Sequence, residues 1–215
     1  MRKLTLILRV AAVSLAACVM LGLAGCGQKV KDFNVSTLEN IIRKYNAEKI
    51  ETLRDYEAIA EQDLTDEQIK NGYSYYISVA GDDAQRLFNN RDFLYHEKTY
   101  YKVSEALYLN SYIEASETSL NATSIYLLTF ETEEMAQEFL ENEITKSEGN
   151  VVLNVNKTGS KNGYRYTIRR SQHAGGGTFL NGKTLLHIVF IREDDDDALI
   201  KEVCKEFGVM NPLTA

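Results

Sequence analysis

The chain has no tryptophan, one proline (Pro212), three histidines and too little positive charge, with 24 Lys and Arg against 31 Asp and Glu and a net charge of −7 over 215 residues. With one proline and no long serine-rich tract, nothing predicts an extended stalk. The deficit of Lys and Arg removes the basic stripe that neutralises phosphates, which excludes nucleic acid as a partner and disfavours anionic headgroups. The longest apolar segment is also short. Val10 to Gly25 runs 16 residues without a charge, fewer than the roughly 20 that cross a bilayer as a helix.

What is present begins with that segment. Arg2, Lys3 and Arg9 precede it and small residues end it, the three-part pattern of a secretory signal. Its last residues, Leu23-Ala24-Gly25-Cys26, resemble the lipobox of bacterial lipoproteins, with Cys26 at the position that receives lipid. The resemblance implies a diacylglyceryl thioether on Cys26, cleavage before it, palmitate-type acyl chains, and a location on the extracytoplasmic face of the cell membrane. Residues 1–25 are then the signal peptide, 26–35 a short tether and 36–215 the folded domain. Each buried methylene contributes about 0.8 kcal/mol, and two chains suffice where one is marginal.

Removal of the signal leaves 190 residues and a formal charge of −10, since three of the basic residues and none of the acidic ones lie in it. Cys18 leaves with the signal and lipid consumes Cys26, so Cys204 remains as a lone thiol and no intramolecular disulfide is expected. Stability must come from a core, which 44% hydrophobic residues, 13 Tyr and 8 Phe can supply.

Ser36-Thr37-Leu38-Glu39 reads as a capping box opening a helix with Leu38, Ile41, Ile42 and Tyr45 on one face. Residues 47–64 fit either a short strand and loop or a continuing helix. Thr65 to Gln68 is a second capping signal, stopped by Asn71-Gly72. Strands are predicted over Tyr73–Val79, Tyr100–Val103, Leu107–Ala115 and Ile125–Phe130, the last a continuous apolar run suited to the centre of a sheet. Helices are predicted over Asp82–Asn90, after Thr132, and from about Asp195 to Phe207 with Gly208 as its stop. Alternation at Val151, Leu153, Val155 and at Tyr164, Tyr166, Ile168 gives a hairpin around Gly159 to Gly163, and Asn181-Gly182 gives another. The sum is an α+β fold, a mostly antiparallel sheet covered by helices on one side.

Ala84–Asn90 and Ala136–Asn142 are similar heptapeptides 52 residues apart. Duplication of a strand–helix unit and chance similarity of two amphipathic helices both account for this. From about residue 108 to 208, the order strand-helix-strand-strand-strand-helix is similar to that of small lipoproteins of Gram-positive bacteria, a resemblance in architecture that carries no catalytic motif.

Candidate chemistry is sparse. Gly177-Thr178-Phe179-Leu180-Asn181-Gly182-Lys183-Thr184 has P-loop spacing, but a P-loop needs a helix after it and Leu185–Ile191 reads as strand. His96, His173 and His187 are scattered without zinc-ligand spacing, and His173 beside Gly175–Gly177, read as a flexible loop, is the best placed for an accessible site. Glu193 to Asp197 lacks the ligands of an EF-hand, because Ile200 stands where glycine is needed. Cys204 falls on an apolar helical face and reads as a buried thiol rather than a nucleophile. The tyrosines at 73, 75, 76, 95, 100, 101, 108 and 112 suit half-exposed strands, or a platform for sugars or peptides. No metal, cofactor or catalytic set is expected. The reading is a membrane-anchored lipoprotein with a non-catalytic binding or scaffolding role, its partner an envelope protein or small ligand. The alternative is a cell-envelope hydrolase using carboxylates and His173.

Overall fold

A computed structural model describes residues 31–60, 65–90, 100–116, 119–146, 155–191 and 197–215. The first helix, α1 (Val35–Arg43), is capped by Asn34, whose Oδ1 accepts from the Thr37 amide at 2.8 Å. Ser36, expected in that role, donates its hydroxyl to the same oxygen. Both residue types cap well. Starting at Val35 puts Phe33 and Leu38 in the staple positions on either side of the cap, within one core. Residues 31–35, within the stretch expected as tether, thus belong to the folded body.

A two-residue strand β1 (Glu48–Lys49) and helix α2 (Leu53–Ala60) settle the ambiguous stretch as far as residue 60; residues 61–64 lie outside the described residues. In the capping box before α3 (Asp66–Asn71), the Thr65 amide donates to Gln68 Oε1 and the Gln68 amide to Thr65 Oγ1, and Gly72 at φ 74° ends the helix. Strand β2 (Tyr73–Ala80) leads into α4 (Asp82–Asn89). One long strand, β3 (Val103–Ser116), replaces the two expected around it, with Tyr100 and Tyr101 preceding it. It pairs with β4 (Ser119–Phe130), and Thr132 then caps α5 (Glu133–Lys146).

Two hairpins follow, formed by β5 (Val155–Lys161) with β6 (Tyr164–Arg170) and by β7 (Ala174–Asn181) with β8 (Thr184–Ile191). In the first, Asn162 and Gly163 both have positive φ, as a type I′ turn requires. In the second, Asn181 stays paired with Thr184, so the turn is Gly182-Lys183 and lies one residue later than predicted; its positive φ falls on Gly182 alone, the type II′ pattern. Helix α6 (Ala198–Phe207) closes the fold, capped by Asp197 and ended by Gly208 at φ 69°.

Among the described residues eight strands form one sheet in the order β1-β2-β3-β4-β8-β7-β6-β5, antiparallel except for β1 with β2. The α+β class, the mostly antiparallel sheet and the central place of β4 are as expected. The helices, however, cover both faces. Successive residues of a strand point to opposite faces, and both sets in β4 are apolar: Ile125 and Leu127 share a core with α1 and α6, while Tyr126 and Leu128 share one with α2, α4 and α5. Phe33 and Phe207 meet at 5.3 Å in the first core. In the second, Phe139 lies 5.8 Å from Phe88, 5.1 Å from Phe130 and 5.2 Å from Tyr101. The similar heptapeptides occupy α4 and α5 and bury Ala84, Leu87, Phe88 and Ala136, Phe139, Leu140 in that same core.

Candidate functional site

The two ends of the sheet differ. At one end lie the β7–β8 turn and the first described residue, Lys31, whose carbonyl accepts from Asn181 Nδ2 and whose ammonium pairs with Glu206 at 3.0 Å. At the other end is an open cleft of about 640 Å³.

Chain stops build this cleft. Tyr45 and Asn46 follow α1, with Asn46 in the left-handed region at φ 56°. Asn71 and Gly72 end α3, Ser74 is the second residue of β2, Ser111 and Tyr112 come from β3, and Asp197 to Leu199 start α6. The Ser74 and Ser111 hydroxyls are 2.7 Å apart across the β2–β3 ladder. The Tyr112 ring points to the opposite sheet face from Ser111, where it stacks on Tyr75 at 6.5 Å and Tyr75 meets Tyr73 at 5.3 Å in the second core.

Charges on the rim are engaged within the fold. Asp197 accepts from the Thr123 hydroxyl at 2.8 Å and from the Ile200 amide at 2.9 Å. Lys44 reaches Glu202 at 2.5 Å, and this contact with the Tyr45 hydroxyl holds the Glu202 carboxyl below its usual range. Burial first, then the bond to Glu202, pushes Tyr45 up to about 12, so it remains a phenol and shares its proton between Glu202 and the Ala198 carbonyl.

The structure separates the other predicted residues. His173 is exposed in the β6–β7 turn, while His187 sits mid-sheet on β8; His96 lies outside the described residues. Gly175–Gly177 are not a loop but part of β7, paired on both sides with β6 and β8. The P-loop-like octapeptide is the β7–β8 hairpin, with a strand rather than a helix after it. Cys204 is buried on α6, and burial raises its thiol to about 12, which keeps it protonated and unreactive. Glu193–Asp196 lies outside the described residues. Among the described residues no cluster of three His, Cys, Asp or Glu could hold a metal. Of the tyrosines, 75, 76, 101 and 108 are buried in the two cores, Tyr100 is exposed, Tyr95 is outside the described residues, and only Tyr112 lines the cleft. Asn46, Asn71, Ser74 and Ser111 carried no sequence signal for binding, although Asn71-Gly72 was legible as a helix stop.

His187 has its own chemistry. Its Nδ1 meets the Thr178 hydroxyl at 2.8 Å, and its ring stacks on Tyr126 at 5.9 Å. Part of its surface reaches solvent, yet protein surrounds the ring closely enough that burial pushes its pKa down to about 4. A base with a depressed folded-state pKa is neutral in the fold and binds its proton more readily when unfolded. Stability therefore falls as pH drops from 6.5 towards about 4. Between about pH 7 and about pH 5 this term is worth about 2 kcal/mol. Urea unfolding of His187→Gln, which retains a polar partner for Thr178, is expected to lose that much less over the interval than the unsubstituted protein; equal losses would refute the assignment.

Among the described residues no helix is long and apolar enough to cross a membrane. No family model matches the chain, and neither a curated protein nor a solved structure matches it significantly.

Proposed function

We propose that the protein is an extracytoplasmic lipoprotein, held on the cell membrane through lipid on Cys26, that binds a ligand in the cleft without transforming it. The observation that supports this reading is the placement of the first described residue, Lys31, at the end of the sheet opposite the cleft. Lys31 joins the fold beside Asn181 and Glu206, and α1 then carries the chain to Tyr45 at the cleft. At roughly 3.5 Å per residue, the five residues from Cys26 to Lys31 reach about 18 Å. An anchor there holds the Lys31 end near the lipid and turns the cleft outward. The cleft's described lining includes Asn46, Asn71, Ser74 and Ser111, residue types that recognise by hydrogen bonding.

Cys26→Ser tests the anchor. In a bacterial host, fractionation should find the variant released from membranes or retained as an unprocessed precursor, with no labelled palmitate incorporated. A processed, membrane-bound product would overturn the reading.

A further inference from the structure

We propose that the open edge of β5 is a docking site for an extended acidic segment of a partner protein, which adds to the sheet as a further strand. The site goes beyond the cleft reading and rests on neither the cleft nor the anchor.

The charge of the chain is sorted by position. Residues 155–191, which form β5 to β8, hold six Lys and Arg and no Asp or Glu, whereas the rest of the chain holds 18 Lys and Arg against 31 Asp and Glu. Because β5 to β8 are adjacent in the sheet, one half of it is basic within an acidic protein. Arg165 is engaged with Glu141 at 3.1 Å, and Arg170 donates to the Leu213 carbonyl. Lys157 and Lys161, exposed on the outermost strand, form no ion pair among the described residues.

The backbone of that strand is open too. In a two-residue hairpin the residues flanking the turn, Lys161 and Tyr164, exchange the first pair of bonds, and bonded and unbonded residues then alternate. Ser160, Thr158 and Asn156 therefore aim their amides and carbonyls away from β6, at the free edge of the sheet. Lys157 and Lys161 project on the sheet face of Ile168 and Tyr164, with Gly159 between them. Gly159 leaves space that Tyr166 uses: a Cβ there would come 3.0 Å from Tyr166 Oη, so the phenol lies across β5. An ammonium, a hydroxyl and a second ammonium thus follow one another along the edge, the two lysines about 13 Å apart. An incoming strand with a carboxylate at every second residue matches that row, since opposite charges facing each other across strands are favourable and the main chain pairs with the free edge. A second copy of the same edge would set lysine against lysine, while lipid headgroups and polyphosphates have no amides for the backbone to pair with.

Fluorescence anisotropy tests this with the full-length, processed protein in neutral detergent micelles and a labelled peptide of about ten residues that alternates glutamate with threonine. The peptide should bind, and more weakly as salt rises. Reversing both charges, Lys157→Glu with Lys161→Glu, should weaken binding about ten-fold or more. Tyr166→Phe, which removes only the hydroxyl, should weaken it about three-fold. Ser160→Pro, which removes an amide that the ladder does not use, should weaken it about ten-fold, with circular dichroism reporting an unchanged fold. The same peptide methylated on every backbone nitrogen keeps its charge but cannot pair, and should not bind; it carries the backbone test if the proline variant misfolds. No binding of the acidic peptide, or binding indifferent to the lysine reversals, overturns the proposal. Equal binding of the methylated peptide, or binding of polyphosphate or phosphatidylglycerol vesicles in its place through the same lysines, makes the edge a general anion surface and overturns strand addition.

Discussion

Phe139→Ala should cost about 3–5 kcal/mol of stability, because it deletes a large buried side chain and leaves a cavity that its neighbours cannot close. Phe139 is fully buried on α5 and meets the rings of Phe88, Phe130 and Tyr101 within 6 Å. Those rings come from α4, from β4 and from the segment before β3, so one truncation loosens three separate parts of the same core. The helix and strand backbones that carry Phe88 and Phe130 are fixed by hydrogen bonding, which limits how far they can move into the void. Chemical denaturation should show a lower midpoint with a cooperative transition. Phe139→Leu, which retains most of the volume, should lose roughly half as much. A loss below about 1 kcal/mol for the alanine variant would mean that α5 does not pack as described.

Gly176→Val should be comparably damaging for the opposite reason. A Cβ at Gly176 would collide with the carbonyl oxygen of Ile188, closer than side chains ever approach a backbone atom. Ile188 belongs to the neighbouring strand β8, so the clash cannot be relieved by rotating a side chain. Its neighbours are also confined, since a Cβ at Gly175 would come within 2.8 Å of the Arg169 carbonyl and one at Gly177 within 2.7 Å of the Phe179 ring. Overpacking of this kind costs about 3 kcal/mol, roughly 10 °C in Tm for a chain of this size. Thermal unfolding followed by circular dichroism measures it, and a valine variant with unchanged Tm would refute the close approach.

The glycine run also shows where sequence reading runs out. Three consecutive glycines carry no side-chain pattern, so the segment reads as a loop. Only the pairing partners on both sides reveal that the sheet needs them small. Local signals fared better where the physics is local. The Thr65–Gln68 box, the Thr132 cap and the Gly208 stop depend on residues within a turn of one another, and all three were legible. At α1, two good caps stood two residues apart, and burial of Phe33 and Val35, a tertiary effect, selected Asn34. The apolar face of α6 was read correctly in full, from Leu199 to Phe207. That helices lie on both faces was readable in the continuous run Ile125–Phe130, which leaves neither face of β4 for water.

The cleft was almost invisible. Its lining comes from residues 45–46, 71–74, 111–112 and 197–199, brought together by long-range strand pairing and by the α6 cap. None of these residues is unusual for its element. Tyrosine enrichment did not mark it: Tyr75, Tyr76, Tyr101 and Tyr108 fill the cores, and Tyr112 borders the cleft at the end of the ladder while its ring packs on the opposite face.

The strand order has a consequence for how molecules meet. A sheet of eight strands exposes two edges, and an unpaired edge is a template for another chain. Here one edge is β1, only two residues long, and the other is β5, which carries Lys157 and Lys161 among exposed polar residues. Brevity guards one side and charge the other. Crowded molecules of this kind would stay as separate bodies rather than zip into a continuous ribbon through these edges.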